Sequence, residues 1–433
     1  MEKQIYPLSK PQELLLWSQV FTFEPDKVKE SNIISIYFAV PENCDYKALE
    51  KAFNLMLERN DALRLKIYRK GLSFYQYVKE PAYRELPVVK FNDNEEFEEY
   101  LKTLPQYKIP MTGDELVWAV LADMGGRGAL VMRFHHACVD GFSMSIIFKQ
   151  LEDFYTAFAA GEVPPEPKKL YSVTKYFEIE KDYMKSEKHE NDRQFWKYAF
   201  NHQRNYSFPA GKRGHHGDCD NQSVVFAGDE YEALMNLCHS DEYSLQYLLM
   251  SIAALTVYRE TGEDNFCIYS LTHGRTNYVL KQTVGCMMNT VPIFYDIDTS
   301  LTIREFFKNQ YMVFLDTLSH GSFSMSEQTP LSYKEAIRHN FNFNHAWMLF
   351  SAMDYGNMTA KSKYEPYMLG TTNSPFQFYC SVLEVKGESV KLGLRYQTDK
   401  FTHDKVEELL ESFSDTVRKV LANPDEVIST LKD

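Results

Sequence analysis

Residues 135–141 (HHACVDG) contain the side chains of this sequence that are best suited to proton transfer. Two adjacent imidazoles, His135 and His136, precede the Asp140 carboxylate, and Gly141 follows it directly. The unperturbed pKa of histidine lies near neutrality, so an imidazole can accept or release a proton at working pH. An imidazole that a neighbouring charge keeps in one orientation suits general base catalysis. The heptapeptide therefore predicts a catalytic site.

The residues on either side of the heptapeptide predict the elements that position it. Residues 129–134 (ALVMRF) form a short apolar run, which is typical of a buried strand. Gly141 is expected at the reversal that follows, because a residue without a Cβ relaxes the backbone constraint there. The imidazoles thus lie at a strand end, where open sheets tend to place their chemistry. Ser143 is the expected N-cap of a helix whose apolar side chains recur at helical spacing: Met144, Ile147, Phe148, Leu151 and Phe154.

The heptapeptide resembles the HHxxxDG motif of the condensation domains of nonribosomal peptide synthetases, within the chloramphenicol-acetyltransferase-like superfamily. Further resemblances follow the family order along the chain. They are residues 8–13 (LSKPQE) with Trp17, residues 59–64 (RNDALR, similar to RHExLR), Gly274 with Arg275, residues 285–290 (GCMMNT, similar to GxFVNT) and residues 394–399 (LRYQTD). Together with the central motif they cover essentially the whole chain.

The resemblance implies an α/β (α+β) fold with two chloramphenicol-acetyltransferase-like lobes. In the family these lobes form a V-shaped pseudo-dimer with an active-site tunnel between them. A proline-rich and charged segment, residues 161–169 (GEVPPEPKK), opposes both helix and buried strand. We therefore expect an N-terminal lobe over residues 1–170, which carries the motif, and a C-terminal lobe over residues 171–433.

Several further elements are predicted from local patterns. Alternation of apolar residues predicts strands near residues 34–38 and 291–297. Residues 376–385 and 390–396 flank a short polar segment and predict a hairpin. Asp45 and Thr402 are expected to cap helices, and Ser244 and Thr302 are each expected to precede a helix.

The family resemblance also implies an activity. In condensation domains, an amine on one carrier protein attacks an acyl or aminoacyl thioester on another, and an amide bond forms. The resemblance gives the functional role to His136, as general base or as positioning donor. It gives His135, Asp140 and Gly141 supporting roles in the motif loop. Asp140 is expected to pair with an arginine; Arg275 is the partner by motif position, with Arg64 and Arg59 as alternatives.

The same resemblance predicts the partners. We expect donor and acceptor peptidyl carrier proteins, either in trans or within a larger synthetase, since no GGxS carrier motif is found in this sequence. Their phosphopantetheine thioesters would supply the substrates, and no cofactor is expected to bind the protein itself. Residues 271–276 (LTHGRT) lack the glutamates of epimerisation domains. The intact histidines differ from heterocyclisation domains, which have aspartates there.

Two other functions remain open from the sequence. One is an acyltransferase that moves an acyl group from a carrier or coenzyme A to a soluble amine or alcohol. The other is a non-catalytic platform that docks carrier proteins, which the intact HHxxxDG motif disfavours.

Composition limits the partners and the compartment. The 433 residues carry a formal net charge of −13 and no basic run, which disfavours nucleic acid. The longest apolar stretch, residues 247–258, is too short to span a bilayer, so no membrane association is expected. Seven cysteines without CxxC spacing and no signal-peptide pattern favour a reducing, cytoplasmic location.

Two other groups have side chains that could form chemical sites. Cys138 lies close to His136 in the sequence, but a packing role is expected for it rather than covalent catalysis. His215 and His216 lie in a polar segment without a strand or helix to fix ligand geometry, so no metal site is predicted.

Overall fold

The computed structural model of the chain describes residues 4–20, 32–167, 169, 171–202, 218–338, 348–352, 364–369 and 378–432. None of the helices in these ranges is both long and apolar enough to cross a membrane. The strands are β1 (Tyr6–Pro7), β2 (Ile33–Val40), β3 (Leu65–Lys70), β4 (Ser73–Val78), β5 (Val88–Lys90), β6 (Val117–Asp123), β7 (Gly128–His135), β8 (Cys219–Ala227), β9 (Asn265–Thr272), β10 (Asn289–Asp296), β11 (Met348–Ala352), β12 (Glu365–Leu369), β13 (Phe378–Val385) and β14 (Ser389–Gln397). The α-helices are α1 (Lys10–Val20), α2 (Tyr46–Arg59), α3 (Asn94–Thr103), α4 (Gly141–Ala159), α5 (Val173–Tyr183), α6 (Glu187–His202), α7 (Asp229–Ser240), α8 (Leu245–Thr261), α9 (Tyr278–Lys281), α10 (Ile303–Ser319), α11 (Met325–Arg338) and α12 (His403–Ala422).

The chain divides into two compact units that do not follow a single cut in the sequence. The first unit contains residues 1–185, 273–288 and 357–371, and the second contains the remaining residues. This division differs from the expected lobes, 1–170 and 171–433. The difference arises because α5 buries Tyr176 and Phe177 in the core of the first unit, and residues 280–287 add Leu280 and Met287 to the same core. Such long-range packing leaves no signal in local composition.

The first unit is built on a five-stranded sheet in the order β12-β2-β7-β6-β5. Its central strands β2, β7 and β6 are antiparallel neighbours. Side chains alternate across a strand. One face of β7 therefore packs Met132 and Phe134 with α2 and α4, while Val131 on the other face packs with Phe97 of α3. Helices cover both faces of β7, which explains why all of its residues are buried.

The second unit contains a six-stranded mixed sheet in the order β10-β9-β11-β13-β14-β8. Strand β11 runs parallel to both β9 and β13, and the other pairs are antiparallel. Helices α8, α10 and α12 contribute buried apolar residues to one core with this sheet. Both units thus combine sheets with helices.

Most locally predicted elements are confirmed. The oxygens of Asp45, Ser244, Thr302 and Thr402 accept hydrogen bonds from the first turns of α2, α8, α10 and α12. Strands β13 and β14 form the predicted antiparallel hairpin. The predicted N-cap at Ser143 is wrong: helix α4 begins one turn earlier, and Asp140 is its N-cap.

The packing of α2 against α4 supports the strand that leads into the motif. Leu49 on α2 is fully buried in this core, whereas Leu72, in the turn between β3 and β4, is 91% exposed. We expect Leu49→Ala to lower the free energy of unfolding by about 2–5 kcal/mol, because it removes buried contacts and leaves a cavity. Leu72→Ala is the same chemical change at an exposed site, and its free energy of unfolding should stay within about 0.5 kcal/mol of the wild-type value. Urea unfolding of both variants provides the comparison; equal effects would contradict this account of the core.

Candidate functional site

His135 is the last residue of β7, and His136 is the first residue of the turn that joins β7 to α4. Hydrogen bonds hold the main chain on both sides of His136. The His135 N–H donates to the Leu116 carbonyl at 2.8 Å, and the His136 N–H donates to the Asn32 carbonyl at 2.7 Å. The Val139 N–H donates to the His136 carbonyl at 3.3 Å. The backbone position of His136 is therefore set by neighbouring main-chain groups.

The His136 side chain is partly buried. Its Nδ1 is buried and has no hydrogen-bond partner among the described residues. We therefore expect a substrate to contact this ring through Nε2. Burial lowers the pKa of His136 below its usual value, and the Asp140 carboxylate opposes this effect only in part. The imidazole is thus neutral at neutral pH.

His135 differs from His136 because it is fully buried. Its Nδ1 accepts a hydrogen bond from the Ala137 N–H at 3.0 Å. Since a neutral imidazole carries one proton, this bond assigns the proton to Nε2. Burial lowers the pKa of His135 to about 3, and the neighbouring His136 acts in the same direction. His135 thus ends β7 and accepts a hydrogen bond from the turn that follows.

Asp140 and Arg275 form a buried, bidentate ion pair. Arg275 Nη1 donates to Asp140 Oδ2 at 2.7 Å, and Nη2 donates to Oδ1 at 2.9 Å. Asp140 is 1% exposed and Arg275 is 2% exposed. Burial alone would raise the pKa of the Asp140 carboxyl, but the adjacent guanidinium outweighs it and the pKa is lowered. The carboxylate is therefore charged and cannot serve as a proton donor at neutral pH.

The alternative arginine partners lie elsewhere. The Arg64 guanidinium donates to the main-chain carbonyls of Leu57, Glu58 and Lys79. Arg59 donates to the Pro165 carbonyl. Arg275 is thus the arginine that reaches Asp140.

Ser143 and Met287 complete the coordination of the Asp140 carboxylate. The Ser143 N–H donates to Oδ1 at 2.9 Å and the Met287 N–H donates to Oδ2 at 2.9 Å. The Ser143 hydroxyl lies within hydrogen-bond distance of both Asp140 Oδ1 and the Gly285 carbonyl, and it accepts from Arg275 Nη2 at 3.1 Å. The family motifs do not predict these contacts of Ser143 and Met287. The spacing Asp-x-x-Ser at residues 140–143 is the local signal of the reciprocal cap observed here.

Gly141 and Gly274, the glycines of two predicted motifs, have different structural roles. Gly141 is the first residue of α4 and is not among the glycines with positive φ, so the expected sharp reversal at this residue is wrong. The helix begins here because Asp140 caps it. Gly274 does have a positive φ of 63°, and a Cβ there would lie 1.8 Å from the Met287 carbonyl oxygen. Only glycine fits this approach, which brings the Arg275 segment beside Met287.

The other candidate groups do not form a second chemical site in the described structure. The Cys138 thiol is buried and donates to the His135 carbonyl at 3.1 Å, and burial raises its pKa far above neutrality. A thiol in this state is a poor nucleophile. His215 and His216 lie outside the described residues. Within those residues, no three His, Cys, Asp or Glu side chains are placed to share a metal ion.

The buried ion pair leads to a stability prediction. Arg275→Met leaves the Asp140 carboxylate without its cation, and Asp140→Asn leaves the guanidinium without its anion. Each should lower the free energy of unfolding by about 3–5 kcal/mol, and the double variant should cost less than the sum. Urea unfolding gives the coupling energy, with Lys102→Met, which removes a surface pair with Glu99, as an exposed control. Additive costs would show that the two side chains do not depend on each other.

The burial of His135 leads to a pH prediction. An unfolded histidine has a pKa of about 6.5, so the unfolded chain takes up a proton that the folded protein excludes. The stability contribution is complete above this pH and is lost as the pH falls toward about 3, where folded His135 titrates. His135→Asn should reduce the slope of unfolding free energy against pH by as much as about 1.4 kcal/mol per unit between about pH 4 and 6. Urea unfolding across this range tests it. The exposed His239→Asn should retain the wild-type slope, and an unchanged slope in His135→Asn would contradict the prediction.

Known proteins resemble this chain over nearly its whole length. A family model described as Condensation domain matches residues 2–432. Surfactin synthase subunit 1 of Bacillus subtilis (strain 168) is 22% identical over 453 aligned residues, which cover 100% of this chain and 12% of that protein. The curated relatives are much longer than this chain, which spans between 5% and 17% of their lengths.

Solved structures of similar fold include the first condensation domain of the calcium-dependent antibiotic synthetase, in complex with a substrate analogue. It has a TM-score of 0.79 and 15% identity, and the match covers 98% of both chains. A variant of the starter condensation domain of rhizomide synthetase, in complex with C8-CoA, has a TM-score of 0.80 and 15% identity. That match covers 99% of this chain and 97% of the other.

These likenesses confirm the predicted α+β fold class and its chloramphenicol-acetyltransferase-like architecture. The family model covers nearly the full length of the sequence, and the similar curated proteins are peptide synthetases. This chain belongs to the condensation domain family of nonribosomal peptide synthetases.

Proposed function

We propose that this protein forms an amide bond between an acyl or aminoacyl thioester on a donor carrier protein and an amine on an acceptor carrier. The observation that carries this proposal is the state of His136: a neutral imidazole on a fixed backbone, whose buried Nδ1 leaves Nε2 as the nitrogen expected to contact a substrate. The residue lies in the motif that condensation domains share.

In the proposed reaction the amine nitrogen attacks the thioester carbonyl carbon. A C–N bond forms, the C–S bond breaks, and the departing thiolate receives the proton that the amine loses. The thioester is already activated, so placing the two reactants together contributes much of the acceleration, as much as about 7–11 kcal/mol in favourable cases. A side chain that handles the proton contributes about 10²–10⁴-fold more.

We assign Nε2 of His136 to the attacking amine. As the C–N bond forms, the amine nitrogen becomes strongly acidic, and a neutral imidazole can accept its proton or hold it by a hydrogen bond. The lowered pKa of His136 keeps the imidazole neutral below the pH at which an ordinary histidine becomes protonated. His135, Asp140, Gly141 and Arg275 support the turn and do not touch the substrates in this assignment.

The partners in this proposal are two peptidyl carrier proteins, in trans or within a larger synthetase. Their phosphopantetheine arms bring both substrates, and the protein holds no cofactor of its own. The net charge of −13 supports a protein that binds neither nucleic acid nor anionic membrane surfaces. All seven cysteines are free thiols, which supports a cytoplasmic location.

A second candidate function is transfer of an acyl group from coenzyme A or a carrier to a soluble amine or alcohol. The similar starter condensation domain of rhizomide synthetase was solved in complex with C8-CoA. That complex favours coenzyme A as an acyl donor for this second function. The same imidazole would serve an alcohol or an amine, so the acceptor distinguishes the two functions.

The test is intact-mass analysis of two loaded carriers incubated with the wild type and His136→Ala. We expect product on the acceptor carrier with the wild type, and a rate lower by about 10²–10⁴-fold with His136→Ala because the proton acceptor is lost. His239→Ala, at an exposed site, is the matched control and should retain the wild-type rate.

Other outcomes separate the candidates. Transfer only to a soluble amine or alcohol, with coenzyme A or carrier donors, would replace amide formation between carriers by the second function. Carrier binding without turnover under every loading condition would indicate a docking platform. Full activity in folded His136→Ala would remove His136 from the chemistry.

A further inference from the structure

Two buried glutamines lie directly behind the turn that carries His136. Gln12, in the first turn of α1, is 1% exposed, and Gln76, on β4, is fully buried. Gln12 belongs to the Ser- and Gln-containing segment near the start of the chain, whereas Gln76 belongs to no predicted motif. Neither side chain has a role in the proposed chemistry so far.

The two amides form a reciprocal pair. Gln12 Nε2 donates to Gln76 Oε1 at 2.9 Å, and Gln76 Nε2 donates to Gln12 Oε1 at 2.7 Å. Gln76 Nε2 also donates to the Pro7 carbonyl at 2.8 Å, and the Ser9 N–H donates to Gln12 Oε1 at 2.9 Å. These bonds fix the orientation of both amides. If either amide were flipped, a donor would face a donor and an acceptor would face an acceptor.

The remaining donor of this pair reaches the motif turn. Gln12 Nε2 donates to the Ala137 carbonyl at 2.9 Å, so every donor and acceptor of the Gln12 amide is used. The Ala137 N–H donates to His135 Nδ1 at 3.0 Å. The residue that follows His136 is therefore held at both of its main-chain polar groups by buried side chains.

We propose that Gln12, oriented by Gln76, is a positioning residue that fixes the Ala137 carbonyl and thereby the direction of the His136 side chain. The inference rests on the assignment of His136 as the reactive imidazole. Gln12 contacts the turn and not the substrates, so its loss lowers kcat and leaves KM for both carriers nearly unchanged. The hydrogen bonds on the other flank of His136, to Asn32 and Val139, do not replace this contact because they hold different main-chain atoms.

The test variant is Gln12→Glu, which has nearly the same shape but replaces the amide donor by a carboxyl group. At about pH 8 the ionised carboxylate repels the Ala137 carbonyl oxygen, and we expect kcat to fall about tenfold, the equivalent of one buried hydrogen bond. Burial is expected to raise the pKa of the introduced carboxyl group by about 3 units, to about 7, which lies between the two test conditions. At about pH 6 the neutral carboxyl can donate to Ala137 again, so the deficit relative to wild type at the same pH should shrink.

Gln310→Glu is the matched control. Gln310 is a buried glutamine of α10 in the second unit, and its Nε2 donates to the Phe294 carbonyl at 2.8 Å. The same chemical change there tests general destabilisation, and kcat should remain at the wild-type value. Gln12→Met, an apolar replacement of similar length, should lose activity without recovery at lower pH, and it carries the test if Gln12→Glu does not fold.

A second measurement does not depend on turnover. Diethyl pyrocarbonate modifies neutral imidazoles, and fragment mass spectrometry distinguishes His135 from His136. We expect Gln12→Glu and Gln12→Met to raise the modification rate of His136 severalfold at about pH 8, because both remove the amide donor to Ala137. Buried His135 should stay protected and so report an intact fold.

The outcomes separate this inference from the proposed function. If the wild type transfers no acyl group, the proposed activity is wrong. If the Gln12 variants still change the modification rate of His136, the positioning role remains. A folded Gln12 variant with wild-type kcat and wild-type His136 reactivity would overturn the inference. Equal losses in the Gln12 and Gln310 variants would also overturn it, as general destabilisation.

Discussion

The buried charge pair between Asp140 and Arg275 is the constraint on which the rest of the site depends. A carboxylate removed from water is costly unless donors surround it, and this one accepts from a guanidinium fork, from the Ser143 N–H and from the Met287 N–H. The same carboxylate caps α4, so one side chain ends the motif turn and starts the helix. The position of Arg275 in turn requires the close approach of Gly274 to Met287. The motif thus contains a buried ion-pair partner as well as the imidazole that we propose to be reactive.

The imidazoles show how one turn gives two identical side chains different properties. His135 is fully buried; its N–H donates to the Leu116 carbonyl and its Nδ1 accepts from the Ala137 N–H. These bonds give it a structural role. His136 has an equally fixed backbone, but its Nδ1 has no partner in the described part of the structure. Because Nδ1 is buried, the proposed reaction uses Nε2, which the fixed backbone would hold toward the attacking amine.

Local features of the sequence were sufficient for much of the fold. Helix caps such as Asp45 and Thr302, the β13–β14 hairpin and the strand before the motif follow from residues close together in the chain. The family motif also brought Asp140 and Arg275 together as candidates. The cap of α4 was misassigned because Ser143 and Asp140 are both good capping residues, and only the contacts with Arg275 and Met287 decide between them.

Other features had no local signal. The pairing of Gln12 with Gln76 joins residues 64 positions apart, and periodicity does not register such a contact. The two compact units could not be read from the proline-rich segment, because residues 273–288 and 357–371 return to the first unit. Residues 273–288 join the first unit because Leu280 and Met287 pack in its core, and residues 357–371 join it because β12 pairs with β2.

This discontinuous first unit has a consequence for synthesis. The motif emerges from the ribosome with Asp140, but its cation follows 135 residues later. Until then the nascent chain contains all seven residues of the motif without the charge that makes burial of the carboxylate favourable. Completion of the site therefore waits for synthesis of residues 273–288, and a fragment that ends at residue 185 would contain the family motif without the ion pair that holds it.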